Sequence, residues 1–338
     1  MSIRSLIVLP DESSKPFLDA INAAKKSLQV KMFVFSDLDL LHAVIAAHQR
    51  GVKVRIMLNA ARRDGEDDNE KTRAALENAG IEVKDSNPGF GLTHEKSMVV
   101  DEAIAYIKSL NWVTQNLNET RDYAITTTHP HGVGEIIACF DADWNRQEFN
   151  PGQSAHLIWC PTNGRERIAQ FIDAAQHTLF IQNERYQDTV IIERLVRARE
   201  RGVKIHLMAR PPHSLKKEKI IEGVGGLRIM DDVGIKVHKL KHLKLHGKML
   251  LADGLHAIVG SINLTPGSFD DRRELAIEFH DDDIVKRLHN IVRRDWEHSY
   301  PLDLTDKGLF MDLEEHGQGG AEKLVLRMDD AHEKKYKK

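Results

Sequence analysis

The chain has 338 residues, room for about two domains at ~150 residues each, and its 48 Lys and Arg against 51 Asp and Glu leave a formal net charge of -3. That balance excludes a protein that holds polyanions through a global basic field, and 41% hydrophobic with 29% charged residues excludes a disordered or membrane-embedded chain. No apolar run approaches the ~20 residues that cross a bilayer, and the opening apolar stretch before Pro10 is too short for a signal h-region, so a cytoplasmic protein, able to sit peripherally on a membrane, is expected.

In chain order, Leu28–Phe35 reads as a strand, Leu38–Arg50 as a helix by spacing, and Val52–Leu58 as a second strand entered through Gly51. An acidic stretch, 64–70, follows, then a Pro88–Gly91 loop and the polar cluster that begins at His94. Asn150-Pro151-Gly152 reads as a joint. Beyond it the pattern restarts, with strands at Leu179–Ile181 and Val203–Met208 around a helix from Val190 to Arg201.

The restart is a duplication. Sliding the chain by 151 residues lays Ala23–Leu28 on Ala174–Leu179 and Arg50–Val54 on Arg201–Ile205; sliding by 152 lays His94–Ile125 on His246–Ile277 without a gap. The expected organisation is therefore 1–150, a second copy at 151–300, and a polar extension at 301–338 that is partly disordered. Strands separated by helices predict, in each half, a mixed β-sheet flanked by helices, an α/β fold.

The identities of the second alignment fall on chemical residues. One copy carries His94, Lys96, Asp101, Ser109 and Asn111; the other carries His246, Lys248, Asp253, Ser261 and Asn263. Apolar runs on both sides of Asp101-Glu102 and Asp253-Gly254 predict two-residue hairpins. In that register His94 faces Ser109 and His246 faces Ser261, and each half gathers imidazole, ammonium, hydroxyl and amide on one face. Asp101 and Asp253, at the turns, have the opposite parity; they are counted with His94, Lys96, His246 and Lys248 in the catalytic set, with a mainly structural or positioning role expected.

An ammonium and an amide bind phosphate oxygens, and a neutral imidazole can attack phosphorus or relay a proton. Displacement at a phosphodiester wants a nucleophile on one side and a general acid on the other, and two copies supply both. Positioned donors of this kind can replace a metal, so no metal or cofactor is expected. Asp122 and Glu274 recur eleven residues after the asparagines and are the expected carboxylates that fix each imidazole's tautomer, Asp122 serving His94.

The run His246-x-Lys248, four residues, Asp253, six residues, Gly260-Ser261-x-Asn263 resembles the signature of the phospholipase D superfamily. The resemblance covers about 300 residues of the chain. It implies two halves related by a pseudo-twofold axis with the active site at their interface, and a phosphodiesterase or phosphatidyltransferase working through a covalent phosphohistidine. It further implies that His94 is the nucleophile and His246 the acid and base, the reverse assignment staying open. The first copy departs from the signature at Lys108, where glycine is usual, and at Asp122, one methylene shorter than Glu274.

Several other features read as ordinary structure. Cys139 and Cys160 are too far apart for a thiolate zinc motif, His129-Pro-His131 lacks companion ligands, and Gly223–Gly226 reads as a turn. Asp143-Trp144 and Asp295-Trp296 read as packing and capping residues. The basic stretches 212–219 and 236–248 suit a nucleic acid or an anionic lipid surface equally. A phospholipid substrate met at a membrane surface, without an obligatory protein partner, is the favoured expectation; Phe90 and Leu92 are candidates to meet acyl chains. An endonuclease acting on DNA or RNA is the alternative, and a non-catalytic binding module the third reading.

Overall fold

The computed structural model describes residues 3–60, 69–215 and 220–317. Most of the acidic stretch, Lys216–Lys219 and the chain after 317 lie outside the described residues.

The first half runs β1 (Arg4–Leu9), α1 (Lys15–Ala23), β2 (Ser27–Met32), α2 (Leu38–Gln49), β3 (Lys53–Leu58), α3 (Glu70–Asn78), β4 (Glu82–Asp85), β5 (Leu92–Thr93), β6 (Ser97–Val100), β7 (Ile104–Lys108), α4 (Thr114–Asn118), β8 (Thr120–Thr127) and α5 (Pro130–Asn145). The second runs β9 (Leu157–Cys160), α6 (Gly164–Ala174), β10 (Thr178–Gln182), α7 (Thr189–Glu200), β11 (Lys204–Met208), α8 (Ile220–Asp232), β12 (Val237–Leu240), β13 (Lys244–Leu245), β14 (Met249–Ala252), β15 (His256–Gly260), α9 (Pro266–Asp270), β16 (Arg272–Phe279), α10 (Asp282–Glu297), β17 (Ser299–Pro301) and α11 (Asp306–Glu315).

Each half forms a mixed sheet, ordered β1-β8-β7-β6-β2-β3-β4 in the first and β17-β12-β11-β10-β14-β15-β16 in the second. Strand periodicity sorts the side chains between two faces. In β2, Leu28, Val30 and Met32 join α1 and α2 in an outer core, while Gln29 and Lys31 are buried on the other face. The second half repeats this with α6, α7 and α8 over Leu179 and Ile181. The two inner faces share a third core, in which Val99, Ile107 and Tyr123 meet Phe180, Val259, Leu275 and the apolar stripe of α10. Both faces of both sheets are thereby covered, as strands of continuous apolar character require.

Two short strands cross over. β5, just before His94, pairs in parallel with β16 of the second half, and β13, just before His246, pairs in parallel with β8 of the first. Polar cross-braces accompany them: Arg273 pairs with Asp143, and Arg121 with Asp295, each ion pair joining the halves. The Asp-Trp dipeptides therefore do more than pack and cap, since their carboxylates anchor guanidinium groups from the opposite half.

Three expectations are corrected here. The hairpins close through three residues, with Val100 opposite Ile104 and Ala252 opposite His256. Asp101 and Glu102, like Asp253 and Gly254, take left-handed φ angles, and Ala103 or Leu255 is added before pairing resumes. The extra residue moves the partner strand by one, so Lys96 rather than His94 stands beside the end of β7. Gly223–Gly226 lies inside α8, where a Cβ on Gly226 would come within 2.0 Å of the Tyr186 carbonyl oxygen; the glycine there permits close packing instead of a turn. Finally, residues 301–315 pack on the second half: β17 pairs with β12, and Leu304, Leu309 and Leu313 enter its outer core.

Candidate active site

The crossed strands carry each histidine onto the other half's sheet. The His94 backbone N–H donates to the Arg273 carbonyl at 2.9 Å, and that of His246 to the Arg121 carbonyl at 3.3 Å. The residue after each acceptor is the carboxylate. His94 Nδ1 lies 2.9 Å from Glu274 Oε2 and 3.1 Å from the Ser261 carbonyl oxygen, and His246 Nδ1 lies 2.9 Å from Asp122 Oδ1. The expected pairing within each half is thus replaced by pairing between halves: Glu274 serves His94, and Asp122 serves His246. All the partners of Nδ1 are acceptors, so Nδ1 carries the hydrogen and Nε2 is left for chemistry.

The serines work through these carboxylates. Ser109 donates to Asp122 at 2.5 Å and so does Thr120, while the Ser261 hydroxyl acts on Glu274. Asp122, Glu274, Ser109 and Ser261 are fully buried. Lys96 Nζ donates to the His94 carbonyl at 2.6 Å, and Lys248 Nζ donates to the His246 carbonyl, fixing each ammonium beside its imidazole. The Oδ1 atoms of Asn111 and Asn263 are buried without a hydrogen-bond partner among the described residues.

The electrostatics tie the two halves into one site. Burial, then Lys96 and Lys248, hold the His94 imidazole well below its ordinary pKa, which keeps it neutral. Burial and Lys248 depress the Lys96 ammonium as well, and burial pushes the Glu274 carboxyl up.

Asp101 and Asp253 are not among these groups. They sit at the hairpin turns, seven residues of chain from their histidines, and accept backbone N–H groups of Lys25, Lys26 and Ser27 in one half and of Gln176, His177 and Thr178 in the other. They cap the loops after α1 and α6, which matches their structural reading and removes them from the catalytic set. Lys108 does not reach the site either: its Nζ is fully buried over the Trp112 ring at 4.5 Å, without a hydrogen-bond partner among the described residues. Phe90 lies under the Arg273 guanidinium at 4.2 Å, and Leu92 is committed to β5.

Glu184 escaped the sequence reading. Its Oε2 is 2.7 Å from Lys248 Nζ and 3.8 Å from His246 Nε2, and its Oε1 accepts from Arg210 at 2.9 Å. Burial opposes its ionisation, but Lys248, His246 and Arg210 hold the carboxyl well below the usual range. The 151-residue offset places Phe33 in the equivalent position, and that ring meets His94 edge-on at 4.9 Å and underlies Lys96 Nζ at 5.1 Å. A charge on one copy and an aromatic on the other, at the end of matching strands, was the available signal.

Two clusters have the composition of metal ligands. In Glu95, Cys139 and Asp143 the Lys31 ammonium bridges the two carboxylates at 2.9 and 2.8 Å, filling the place a cation would take. In His213, Asp312 and His316 the imidazoles stack at 3.5 Å and 5°, so their lone pairs lie in parallel planes that do not converge on one ion. Neither donor set fits a metal.

Comparison with known proteins agrees with this architecture. A family model described as "Cardiolipin synthase, PLD-like domain" matches residues 17–144 and again 168–296. The chain is 35% identical over 135 residues to a mitochondrial cardiolipin hydrolase of Homo sapiens, covering 40% of this chain and 51% of that protein, so it spans about half the length of that relative. It is 26% identical over 313 residues to cardiolipin synthase B of Escherichia coli (strain K12), covering 78% of this chain and 72% of the relative. In fold it is similar to a phosphatidylserine synthase of Haemophilus influenzae Rd KW20, with a TM-score of 0.69, 12% identity, and coverage of 96% of this chain and 94% of that one. With two matched copies and two crossed histidine–carboxylate pairs, the chain belongs to the phospholipase D superfamily.

Proposed function

We propose that the protein cleaves or exchanges phospholipid phosphodiesters by a metal-independent, two-step displacement. The observation that carries this reading is the pair of imidazoles whose Nδ1 atoms are locked by carboxylates, with two lysines fixed beside them. His94, neutral and flanked by Phe33, attacks phosphorus through Nε2. The N–P bond forms as the bond from phosphorus to the leaving oxygen breaks, and His246 donates its proton to that oxygen. Lys96 and Lys248 offset charge on the non-bridging oxygens, and the Asn111 and Asn263 amides add hydrogen bonds. In the second step His246 takes a proton from water or an alcohol, the new O–P bond forms, and His94 departs.

The lipid preference rests on the family match and on relatives named as a cardiolipin hydrolase and a cardiolipin synthase. No helix among the described residues is long and apolar enough to cross a membrane, so substrate would be met at the surface. The test is cleavage of phosphatidylglycerol, phosphatidylcholine and single-stranded DNA side by side in excess chelator, with acid-labile phosphate trapped on the protein. Lipid cleavage with phosphate on His94 is expected. Cleavage of DNA alone would replace the lipid by a nucleic-acid substrate, and loss of all activity in chelator would sink the mechanism.

A further inference from the structure

The segment leading into His246 is Lys239-Leu-Lys-His-Leu-Lys-Leu245, and it forms a ridge between two clefts. On one side lies a cleft of about 850 Å³, closed opposite by Arg210, His213 and the end of α4. Lys239, Lys241, Lys244 and Arg210 line it; among the described residues the one lining carboxylate is Glu119, which pairs with Lys244 at 2.9 Å, and Asp312 behind the wall lies 4.0 Å from Lys239. The cleft is linked to the catalytic groups by the chain and by one ion-pair relay: Leu245, in its wall, precedes His246, and Arg210 reaches Lys248 through Glu184. The matching segment of the first half, Asn87-Pro-Gly-Phe-Gly-Leu-Thr93, carries no charge at all. The lip formed by the segment before His246 is therefore cationic, while the segment before His94 is itself uncharged and has Arg272 of β16 beside it.

Because His246 donates its proton to the leaving alcohol, the cationic lip lies on the alcohol side of the scissile bond. We propose that this cleft is a second phosphate subsite, which takes the phosphate carried by the leaving or acceptor alcohol when that alcohol is an anionic glycerophospholipid. The inference rests on the acid role of His246 and the lipid reading given above. The alternation of lysine and leucine favours lipid over nucleic acid: the ammonium groups sit at phosphate depth while Leu240 and Leu243, both half-buried, face the apolar boundary. Tyr300 is the one Phe, Tyr or Trp side chain lining the cleft among the described residues, and the Lys241 ammonium already lies 5.2 Å over its ring, which occupies one face of the largest ring a base could stack on.

The test compares the wild type with Lys241→Ala/Lys244→Ala, two exposed positions outside the catalytic groups. Cardiolipin vesicles supply a leaving alcohol with a second phosphate; bis(p-nitrophenyl) phosphate supplies one without. A rise of about tenfold in KM for cardiolipin, deepened by Lys241→Glu/Lys244→Glu, with turnover of the nitrophenyl ester unchanged, is expected. Unchanged KM for cardiolipin in both variants, or equal losses on both substrates, would overturn the subsite. A loss confined to single-stranded DNA cleavage would overturn its assignment to lipid. If the wild type cleaves the nitrophenyl ester and no lipid, the lipid reading fails separately. The subsite is then read by inhibition with glycerol 3-phosphate: an inhibition constant raised about tenfold in the alanine variant supports it, and an unchanged one overturns it.

Discussion

The two halves place the same five polar residue types on the same backbone, yet the surroundings of the two imidazoles differ. His94 has Phe33 against its ring and two lysines acting on it; His246 has a carboxylate at each nitrogen, Asp122 at Nδ1 and Glu184 at 3.8 Å from Nε2. One neighbourhood suits a neutral nucleophile, the other a proton donor. Duplication alone would give two equivalent histidines, and a few unmatched neighbours make their surroundings unequal.

The largest effect should come from the histidines. His94→Ala and His246→Ala should each cost ~10³-fold or more in turnover of a phosphodiester with a poor leaving group. With p-nitrophenol as the leaving group only His246→Ala should still form a trapped phosphoenzyme. Trapping in His94→Ala and not in His246→Ala would reverse the roles.

The crossed wiring is probed next. Glu274→Gln should lower turnover ~10²-fold whichever leaving group is used, because it disturbs the attacking imidazole; Asp122→Asn should cost a similar factor for poor leaving groups and little for p-nitrophenol. If Asp122→Asn instead slows phosphoenzyme formation from the nitrophenyl ester, the carboxylates act within their own halves.

Glu184→Gln should reduce kcat for poor leaving groups about tenfold, and Glu184→Phe, which copies the first half, should do no better. Equal activity of all three proteins in a full pH–rate profile would make Glu184 a structural residue only.

The smallest effect concerns Lys108. Burial holds its amine well below the ordinary lysine pKa, so the unfolded chain binds a proton there that the folded chain does not. Stability should therefore rise with pH between the depressed pKa of the folded lysine and its ordinary value in the unfolded chain. Lys108→Met should raise stability at pH 7 by ~1–2 kcal/mol and flatten that rise, as read by denaturant unfolding at pH 7 and 9. A destabilised Lys108→Met would show that the amine has a use in the fold.

How much of this was legible follows from the range of each interaction. The duplication, the α/β class and the grouping of His94, Lys96, His246 and Lys248 were readable, because they rest on identities and local periodicity. The hairpin register was not, because one added residue, Ala103 or Leu255, depends on turn geometry that Asp-Glu and Asp-Gly do not fix. The carboxylate partners were missed for a different reason: strand arithmetic works within one sheet, and the bonds from β5 to β16 and from β13 to β8 join two. Lys108 in place of glycine gave no hint of its aromatic surroundings, since Trp112 and Phe17 reach it from outside the motif's strands.

The exchanged strands also bear on how the molecule is held as one piece. The connection between α5 and β9 is short, with Pro151 and Ser154 buried, and is tied down where Glu135 accepts the Gly152 and Ser154 N–H groups. Since each half lends a strand to its neighbour, that covalent link is not all that joins them: segments 1–150 and 151–338 should behave as a complementation pair, neither holding a histidine with its own carboxylate. Opening the chain at Pro151 would leave a non-covalent heterodimer, and recovery of function from separated fragments would be second order in protein.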